Sequence, residues 1–343
     1  MLFPISSKIT IREIANLAGT SKTTVSFYLN GKTEKMSEKT RQRIAEIIKE
    51  TNYKPSIAAR SLNSKSSKLL GIMIGDITNT FSNQIVKGIE DIASKNGYQL
   101  IVANSNYDYV REENLIDRML AMGVDGFIVQ PTIQFKEISK KAKKPMVFFD
   151  SNVYDYKTKW VKTNNYDATY EATLACVNNG YKKFLLITAD PSLLSTRIER
   201  TSGYIDVLLD HNLGYEKLIV EDDDESNPKK ILDFLVKHIN EKEKELIFVP
   251  NCWALPMVFI ALKDFYHLMP NLGLMGFDNT EWTNFAAPSI TTIVQPAFKE
   301  GQQAASILID QIESKNEENG QQVLNCIVNW NERSEEHTSE LQS

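Results

Sequence analysis

The chain has 343 residues, 42% of them hydrophobic and 24% charged, with a formal net charge of -5. This length and composition allow a large core and two or three domains, so we expect folding without help from a metal or disulfides. Three widely spaced cysteines without a CxxC pair argue against a disulfide framework or a zinc motif. The apolar runs are too short for a signal peptide or a membrane span. Both observations favour a cytoplasmic protein.

The charge is unevenly distributed along the chain. Residues 1–68 carry a net charge of +8, whereas the remaining residues carry -13. A basic N-terminal segment on an acidic body predicts a polyanionic partner for that segment alone. The alternative is a basic tail that is merely solvated.

The first predicted element is a short helix. Thr10 can cap it, and Gly19 can supply the turn that follows. Its apolar positions recur with helical spacing, at Ile11, Ile14, Ala15 and Leu17.

A second helix follows, capped by Ser21 and ended by the dipeptide Asn30-Gly31. Its inward positions are Val25 and Leu29. On or near its outer face this leaves Lys22, Thr23, Ser26 and Phe27.

A third helix begins at Ser37 and must stop before Pro55. Three short helices with a tight glycine turn between the first two predict a helix-turn-helix unit, whose second helix enters the DNA major groove.

From Leu69 onward, short apolar runs alternate with helical stretches. The runs are "LLGIMIG", "YQLIVAN", "VDGFIVQP" and "PMVFFD", then "KKFLLITAD", "KLIVED", "ELIFVP" and "LGLMGFD". Such alternation predicts parallel sheets with helices on both faces, and two sets predict two Rossmann-like lobes. Ligands bind beyond the carboxyl ends of the strands in such folds.

The motifs "TIREIANLAGTSKTTVSFYLNGK", "ETNYKPSIAARSL", "MGFDN" and "PSITTIVQP" resemble the lactose-repressor (LacI/GalR) family of bacterial transcription regulators over residues 8 to about 332. Within the family, "SKTTVSFYLNGKTEKMS", "STRIERTSGY" and "VPNCWALP" are most similar to Gram-positive repressors of 2-keto-3-deoxygluconate and glycosaminoglycan-uronate catabolism. The resemblance implies an α/β fold in which a helix-turn-helix domain and a hinge helix precede a periplasmic-binding-protein-like effector domain.

The resemblance also implies domain boundaries. We expect the DNA-binding domain at residues 1–54, the hinge helix and linker at 55–68, and the two-lobed effector and dimerisation domain at 69–332. Chain crossovers between the lobes are expected near Asn164, near Gln295 and at residues 320–323.

By the same resemblance, the recognition helix begins at Lys22, Thr23 and Thr24, whose side chains are placed for bases and phosphates. Many relatives have arginine where this chain has Phe27, which could instead pack on a thymine methyl group or belong to the core. The expected DNA-contacting set comprises Thr10, Ser21, Lys22, Thr23, Thr24, Ser26, Phe27, Asn30, Lys32, Ala59 and Leu62.

The segment "PSIAARSLNSK" resembles the family's hinge helix. It is too short to be stable alone in water, so it should order on DNA beside the hinge of a second copy. Leu62 matches a leucine that wedges into the minor groove, and Ala59 would let the paired helices approach closely. The alternative is a flexible linker rich in serine and lysine.

Several polar and aromatic side chains follow the predicted strands and are candidates for the effector site. In the first lobe these are Asn79, Phe81 and Asp150. In the second, the resemblance adds Asn251, Trp253 and Asp278, of which Asp278 matches a family aspartate that accepts hydroxyl hydrogen bonds. Trp253 could equally belong to the core.

Two arginines suggest the chemistry of the effector. Arg200 matches an arginine that many relatives aim into the cleft, and Arg197 lies one helical turn away. In a largely neutral cleft, two guanidinium groups suit a carboxylate or phosphate, which predicts an acidic sugar such as 2-keto-3-deoxygluconate or its 6-phosphate. The alternative is an Arg200 paired with Glu199 on a solvated face.

Other classes of protein fit less well. No P-loop, GxSxG elbow, HExxH motif or dinucleotide fingerprint is present, so we expect no enzyme, and scattered histidines indicate no metal or other cofactor. A sugar transporter's solute-binding protein shares the two-lobed body but lacks a helix-turn-helix head. We therefore expect a homodimeric repressor of carbohydrate-catabolism genes that binds double-stranded operator DNA without a membrane and is released by its effector. A corepressor-dependent or global regulator of the same family is the alternative.

The last segment, "RSEEHTSELQS" at residues 333–343, has no core pattern and resembles a translated sequencing adapter. We expect it to be foreign to the native chain, the alternative being a disordered acidic tail.

Overall fold

The computed structural model describes residues 9–29, 31–53, 66–151, 158–221, 224–240, 242–268, 271–277, 280–287, 290–314 and 320–330. Four sequence expectations lie outside these residues: Asn30, the hinge segment 55–65, Asp278 and the tail 333–343. The chain divides into two compact units between residues 67 and 68, here called the head and the body.

The described residues of the head form three α-helices, α1 (Ile11–Leu17), α2 (Lys22–Leu29) and α3 (Glu38–Thr51), with a short 3-10 helix at Thr33–Lys35. Ile14, Val25 and Ile44, one from each α-helix, are fully buried against one another. Gly19 has a φ of 62° in the turn between α1 and α2, a conformation that favours glycine. The predicted helix-turn-helix is therefore confirmed.

One detail of the head differs from the prediction. Leu17, expected on the apolar face of α1, is 51% exposed. It is the last residue of a seven-residue helix, so it projects past the small core that Ile14 and Ala15 enter. Helical spacing alone does not show where such a short face ends.

The body begins with β1 (Leu69–Ile74), α4 (Thr80–Lys95), β2 (Gln99–Asn104), α5 (Tyr109–Ala121), β3 (Gly126–Val129), α6 (Lys136–Ala142), β4 (Met146–Phe149) and β5 (Lys159–Thr163). It continues with α7 (Asn165–Asn178), β6 (Lys183–Thr188), α8 (Ser195–Asp210), β7 (Glu216–Ile219), α9 (Asn227–His238), β8 (Glu245–Val249), α10 (Leu255–Ala261), β9 (Leu272–Phe277), α11 (Trp282–Phe285) and β10 (Thr291–Val294). The last elements are α12 (Ala297–Ile312), β11 (Gln321–Leu324) and β12 (Ile327–Asn329). Short 3-10 helices lie at Ile133–Phe135, Pro191–Leu193 and Leu262–Leu268.

These strands form two six-stranded sheets, each the centre of one lobe. Lobe 1 has the order β11-β5-β4-β3-β1-β2, and all of its pairs are parallel. Lobe 2 has the order β12-β10-β9-β8-β6-β7 and is parallel except for β12, which pairs antiparallel with β10. The predicted two-lobed α/β body is confirmed.

Helices cover both faces of each sheet. On β1, Leu70 and Ile72 enter one apolar cluster and Met73 enters another, because successive side chains of a strand point to opposite faces. In lobe 2, Leu186 and Ile187 of β6 are divided in the same way. Since both faces are buried, these strands are continuous apolar runs.

Within the described residues, the chain passes between the lobes three times. The first two crossovers lie at Asn164 and at Gln295-Pro296, as predicted. The third lies at residues 325–326 instead of 320–323, because Gln321–Leu324 forms an edge strand of lobe 1 before the chain leaves.

Direct contacts also join the lobes. Lys162 on β5 and Glu199 on α8 form an ion pair at 2.5 Å, with side chains only 16% and 17% exposed. The hydroxyl groups of Ser151 and Ser195 form a buried hydrogen bond. These contacts link the start of α8 to lobe 1.

Within lobe 1, α4 and α12 pack at very close range. A Cβ atom at Gly88 of α4 would overlap the Phe298 carbonyl, and one at Gly301 of α12 would overlap the Ile85 carbonyl. Each helix therefore places a glycine against the backbone of the other, and no larger residue fits at either position.

Candidate functional site

A cleft lies between the two lobes, and open solvent at its mouth included, it encloses about 1070 Å³. Its walls come from residues at the carboxyl ends of strands in both sheets, where a doubly wound fold binds its ligands.

All the predicted effector-site residues that the structure describes line this cleft: Asn79, Phe81, Asp150, Arg197, Arg200, Asn251 and Trp253. They come from separate segments of both lobes, so the strand-end reasoning and the resemblance converge on one place.

Arg200 projects from α8 toward the crossovers and is held by neutral acceptors. Its Nε donates to Asn165 Oδ1 at 2.8 Å and its Nη1 donates to the Pro250 carbonyl at 2.9 Å. Its Nη2 donates to Gln295 Oε1 at 2.8 Å, and the guanidinium lies 3.9 Å from the centre of the Phe277 ring. Three of its five N–H groups and one face of its plane are thus used for positioning.

The alternative pairing of Arg200 with Glu199 is wrong. Glu199 points instead to Lys162 of lobe 1. Since Arg200 and Glu199 are neighbours on a helix, their side chains diverge by about 100° around its axis, and Glu199 faces the lobe contact while Arg200 faces the cleft.

Asp150 is the centre of a hydrogen-bonded network on the other side of the cleft. Its Oδ2 accepts from Gln130 Nε2 at 2.8 Å, and Gln130 Oε1 in turn accepts from the Gly75 N–H at 2.9 Å. Its Oδ1 accepts from Gln295 Nε2 at 3.4 Å. Because Gln295 also accepts from Arg200, one amide bridges the carboxylate of lobe 1 to the guanidinium of lobe 2.

Arg197 lies beside Tyr107, a lobe 1 residue, with its guanidinium carbon 6.0 Å from the ring centre. Burial raises the pKa of the Tyr107 phenol, and the nearby Asp150 carboxylate raises it further. The phenol is therefore a neutral hydrogen-bonding group at neutral pH.

The charge of the cleft differs from the expectation. Asp76 and Asp150 line it together with Arg197 and Arg200, so its formal charges balance. Asp76 accepts from the N–H and hydroxyl groups of Thr78 at 2.8 and 2.7 Å, which commits it to its own loop. The expectation of two arginines among uncharged groups is therefore wrong, because two carboxylates line the cleft as well.

The two asparagines have local structural roles as well. Asn79 caps α4 by accepting from the Phe81 N–H at 2.9 Å, and Asn251 Oδ1 accepts from the Ala189 N–H at 2.9 Å. In both cases the oxygen is engaged, so the amide NH₂ is the group left to contact a ligand.

Aromatic rings form the apolar part of the walls. Phe81 is 7% exposed, and Trp253 lines the cleft while packing against the apolar core of lobe 2, so both interpretations of Trp253 hold. Phe277 and Trp282 complete this surface. Rings beside hydroxyl-binding groups suit the apolar face of a sugar.

Sequence reasoning missed several cleft residues. Gln130 and Gln295 directly follow β3 and β10, so the strand-end rule applied to every strand would have found them. Tyr107, Thr196 and Trp282 lie in loops or at helix starts, and no motif marks them.

The head carries the second group of predicted site residues. Thr10 accepts from the Glu13 N–H at 3.3 Å and its own N–H donates to Glu13 at 2.6 Å, and Ser21 accepts from the Thr24 N–H at 3.1 Å. Thr10 and Ser21 are therefore helix caps that remain exposed.

At the start of α2, Lys22 and Thr23 are exposed, whereas Thr24 and Ser26 are partly buried. Lys32 is exposed beyond the end of the helix. This is the surface expected to meet DNA, on the face away from Val25.

Phe27 is neither a core residue nor fully exposed. It is partly buried outside the apolar cluster of the head, and Lys35 Nζ lies 4.9 Å from its ring centre. The alternative placing of Phe27 in the core is therefore wrong, and the residue stays on the outer side of α2.

In the described part of the chain, no group of three or more histidine, cysteine, aspartate or glutamate side chains is placed to hold a metal ion. The described helices include none that is long and apolar enough to cross a bilayer.

Comparisons with known proteins agree with this architecture. Residues 10–56 match the family model described as bacterial regulatory proteins, lacI family, and residues 70–316 match that of a periplasmic binding protein domain. The chain is therefore a LacI-family protein, a DNA-binding transcriptional regulator with a periplasmic-binding-protein-like domain.

Individual relatives extend over nearly the whole chain. The HTH-type transcriptional regulator KdgR of Bacillus subtilis (strain 168) is 31% identical over 309 residues, covering 89% of this chain and 91% of that protein. The probable HTH-type transcriptional regulator EndR of Paenibacillus polymyxa is 30% identical over 315 residues, covering 90% and 92%. The lac repressor dimer bound to operator and the anti-inducer ONPF has a TM-score of 0.83 at 22% identity, covering 96% of this chain and 99% of that one.

Proposed function

We propose that this protein is a cytoplasmic repressor of carbohydrate-catabolism genes that binds operator DNA as a homodimer and is released by an acidic sugar. The proposal assigns residues 1–54 to DNA binding, 55–68 to the hinge, 69–332 to effector binding and dimerisation, and 333–343 to a foreign tail. The lac repressor structure was determined as an operator-bound dimer, which supports the same assembly here.

The observation that carries the effector class is the state of Arg200. Its three hydrogen-bond acceptors are all neutral, and among the described residues no carboxylate forms an ion pair with it. A partly buried guanidinium without a charged partner is poised for an anionic ligand, and Arg197 lines the same cleft. A carboxylate or phosphate of the effector would accept from the two N–H groups of Arg200 that its three described hydrogen bonds do not use.

The other groups of the cleft suit the remainder of a sugar acid. Asp150 and the NH₂ groups of Asn79 and Asn251 offer hydrogen bonds to hydroxyl groups, and Phe81 and Trp253 offer apolar surface. We therefore take 2-keto-3-deoxygluconate or its 6-phosphate as the first effectors to test.

The mechanism that we propose is a shift between two states of the lobes. A ligand held by Arg200 in lobe 2 and by Asp150 in lobe 1 stabilises the closed cleft. Closure would displace lobe 1 of one subunit against lobe 1 of the other, separate the paired hinge segments and weaken operator binding. A ligand that favoured the DNA-bound state would instead be a corepressor.

The test is operator binding by fluorescence anisotropy at fixed salt, with labelled promoter fragments from the genome that encodes the chain. Titrations would use 2-keto-3-deoxygluconate, its 6-phosphate and matched neutral sugars. Release by an acidic sugar only is the expected result. Release by a neutral sugar would overturn the effector class. Tighter operator binding in the presence of a sugar would make that sugar a corepressor. Absence of saturable binding to any fragment would contradict the repressor role.

A further inference from the structure

A carboxyl group lies directly behind the cleft, on the buried face of α12. Glu300 is fully buried, and its neighbours along that face are the small residues Ala297, Gly301 and Ala304. Its Oε1 accepts from the backbone N–H of Asp150 at 2.6 Å, whereas its Oε2 is buried without a hydrogen-bond partner. A buried carboxyl with one unmatched oxygen is costly, which calls for an explanation.

The backbone that Glu300 contacts is strained. Asp150 has a φ of 61°, and the Ser151 N–H donates to the Phe149 carbonyl at 2.6 Å, which closes a three-residue turn around it. A residue other than glycine in this region is strained and persists only when its surroundings hold it there. The Asp150 N–H is shared between the Val161 carbonyl at 3.1 Å and Glu300, so Glu300 supplies the shorter of the two anchors.

The strained turn determines where the Asp150 carboxylate points. It presents that carboxylate to the cleft, where Gln130 and Gln295 donate to it. Glu300 therefore contacts the effector site from behind without lining it.

Building on the proposed effector function, we propose that Glu300, in its neutral protonated form, is a positioning residue that fixes the turn presenting Asp150 to the effector. Effector binding thereby depends on the proton of Glu300, since an ionised Glu300 would place a second negative charge behind the Asp150 carboxylate.

The electrostatic surroundings support the neutral form. Burial raises the pKa of Glu300 well above its ordinary value, and the Asp150 carboxylate raises it further, while the Asp150 N–H and the Arg200 guanidinium lower it. The Cys326 thiol, on the segment between β11 and β12, also senses Glu300, and burial raises the pKa of that thiol to about 11, so it is neutral too. The apolar cluster around α12, with Ile85 of α4 and Val147 of β4, adds no charge.

A matched pair of substitutions separates the two parts of the proposal. Glu300→Gln keeps an acceptor for the Asp150 N–H and removes the titration, whereas Glu300→Met has a similar volume and removes the acceptor. Unfolding midpoints of the full chain confirm that both variants are folded.

The first measurement is amide hydrogen exchange in the effector-free protein. In Glu300→Met we expect exchange in the peptide 146–151 to be about three- to tenfold faster, the effect of losing one hydrogen bond, and in Glu300→Gln to be unchanged. The strand β8, in lobe 2, is the internal reference. Equal exchange of the turn in all three proteins, or equally faster exchange in β8, would overturn the positioning role.

The second measurement is the infrared difference between the wild-type protein and Glu300→Gln at pH 7. A carboxylic-acid C=O band present in the wild type and absent from the variant is expected, and its absence would overturn the neutral form. The third is the affinity for 2-keto-3-deoxygluconate across alkaline pH, which should fall in the wild type and stay flat in Glu300→Gln. If that sugar does not bind, the proposed effector fails, while exchange and infrared spectra still decide the role of Glu300.

Discussion

Arg200→Ala is the sharpest perturbation of the proposed effector site. It removes the one guanidinium that joins Asn165, the Pro250 carbonyl and Gln295, and it leaves the face of Phe277 uncovered. The remaining unused N–H groups are those offered to an anionic ligand. Because the head is a separate unit, the substitution should leave operator binding in the absence of effector unchanged.

The magnitude follows from the hydrogen bonds of a charged donor. Such bonds contribute about 1.5–3 kcal/mol each, so losing even one to the effector weakens its binding about 10- to 150-fold. Arg200→Lys keeps the charge but not the planar fork, so its affinity should fall between those of Arg200→Ala and the wild type. Loss of the three internal bonds should also lower the free energy of unfolding.

The assay is effector-driven release of labelled operator, followed by fluorescence anisotropy. Arg118→Ala, at an exposed arginine in the last turn of α5, is the matched control and should respond as the wild type does. A normal response of a folded Arg200→Ala protein would remove Arg200 from the effector site and with it the main argument for an acidic sugar.

Other expected outcomes concern the hinge, the stability of lobe 1 and the contact between lobes. Leu62→Ala should weaken operator binding about tenfold, from the loss of an apolar wedge, without changing effector affinity, and unchanged operator binding would refute the wedge. Burial raises the pKa of Glu112 from 4.5 to about 7, so the wild-type protein should lose stability as pH rises through that range, by about 3 kcal/mol at 1.36 kcal/mol per pKa unit. Chemical denaturation at pH 5 and pH 8.5 should show a smaller loss in Glu112→Gln, and parallel losses would show that Glu112 is ionised throughout. Removing the ion pair by Lys162→Met or Glu199→Gln should alter the effector concentration at half-release several-fold. The effects should be non-additive in the double variant, whereas additive effects would show that the two residues are not coupled.

The sequence predicted the strands that are apolar runs and missed the shorter and more polar ones. All eight apolar runs singled out from the sequence are strands. Six of them lie inside their sheets, where burial on both faces makes a strand continuously apolar, whereas β2 and β7 lie at sheet edges and are partly exposed. The strands β5, β10, β11 and β12 were not predicted, because they are short or, like "QQVL" in β11, partly polar. The edge strand β11 pairs with β5, which is distant in sequence, and no local pattern records that neighbour.

The site was predictable to a similar extent. Asp150 follows a strand, and the strand-end rule found it, whereas Tyr107 reaches the cleft from a loop. Glu300 lies in the stretch "AFKEGQQ", whose polar residues are typical of the exposed face of a surface helix. Only the packing of α12 onto the sheet shows that it is buried, since burial of a helix face depends on which elements cover it.

The paired glycines of α4 and α12 have a mechanical consequence. The first helix starts at the cleft, where Asn79 caps it, and the second starts just after Gln295, at the crossover from lobe 2. Since Gly88 and Gly301 lock the two backbones together, neither helix can slide without carrying the other. A displacement of Gln295 would therefore move α12 and α4 together and reach the opposite wall of the cleft, so we expect this pair of helices to move as one rigid unit.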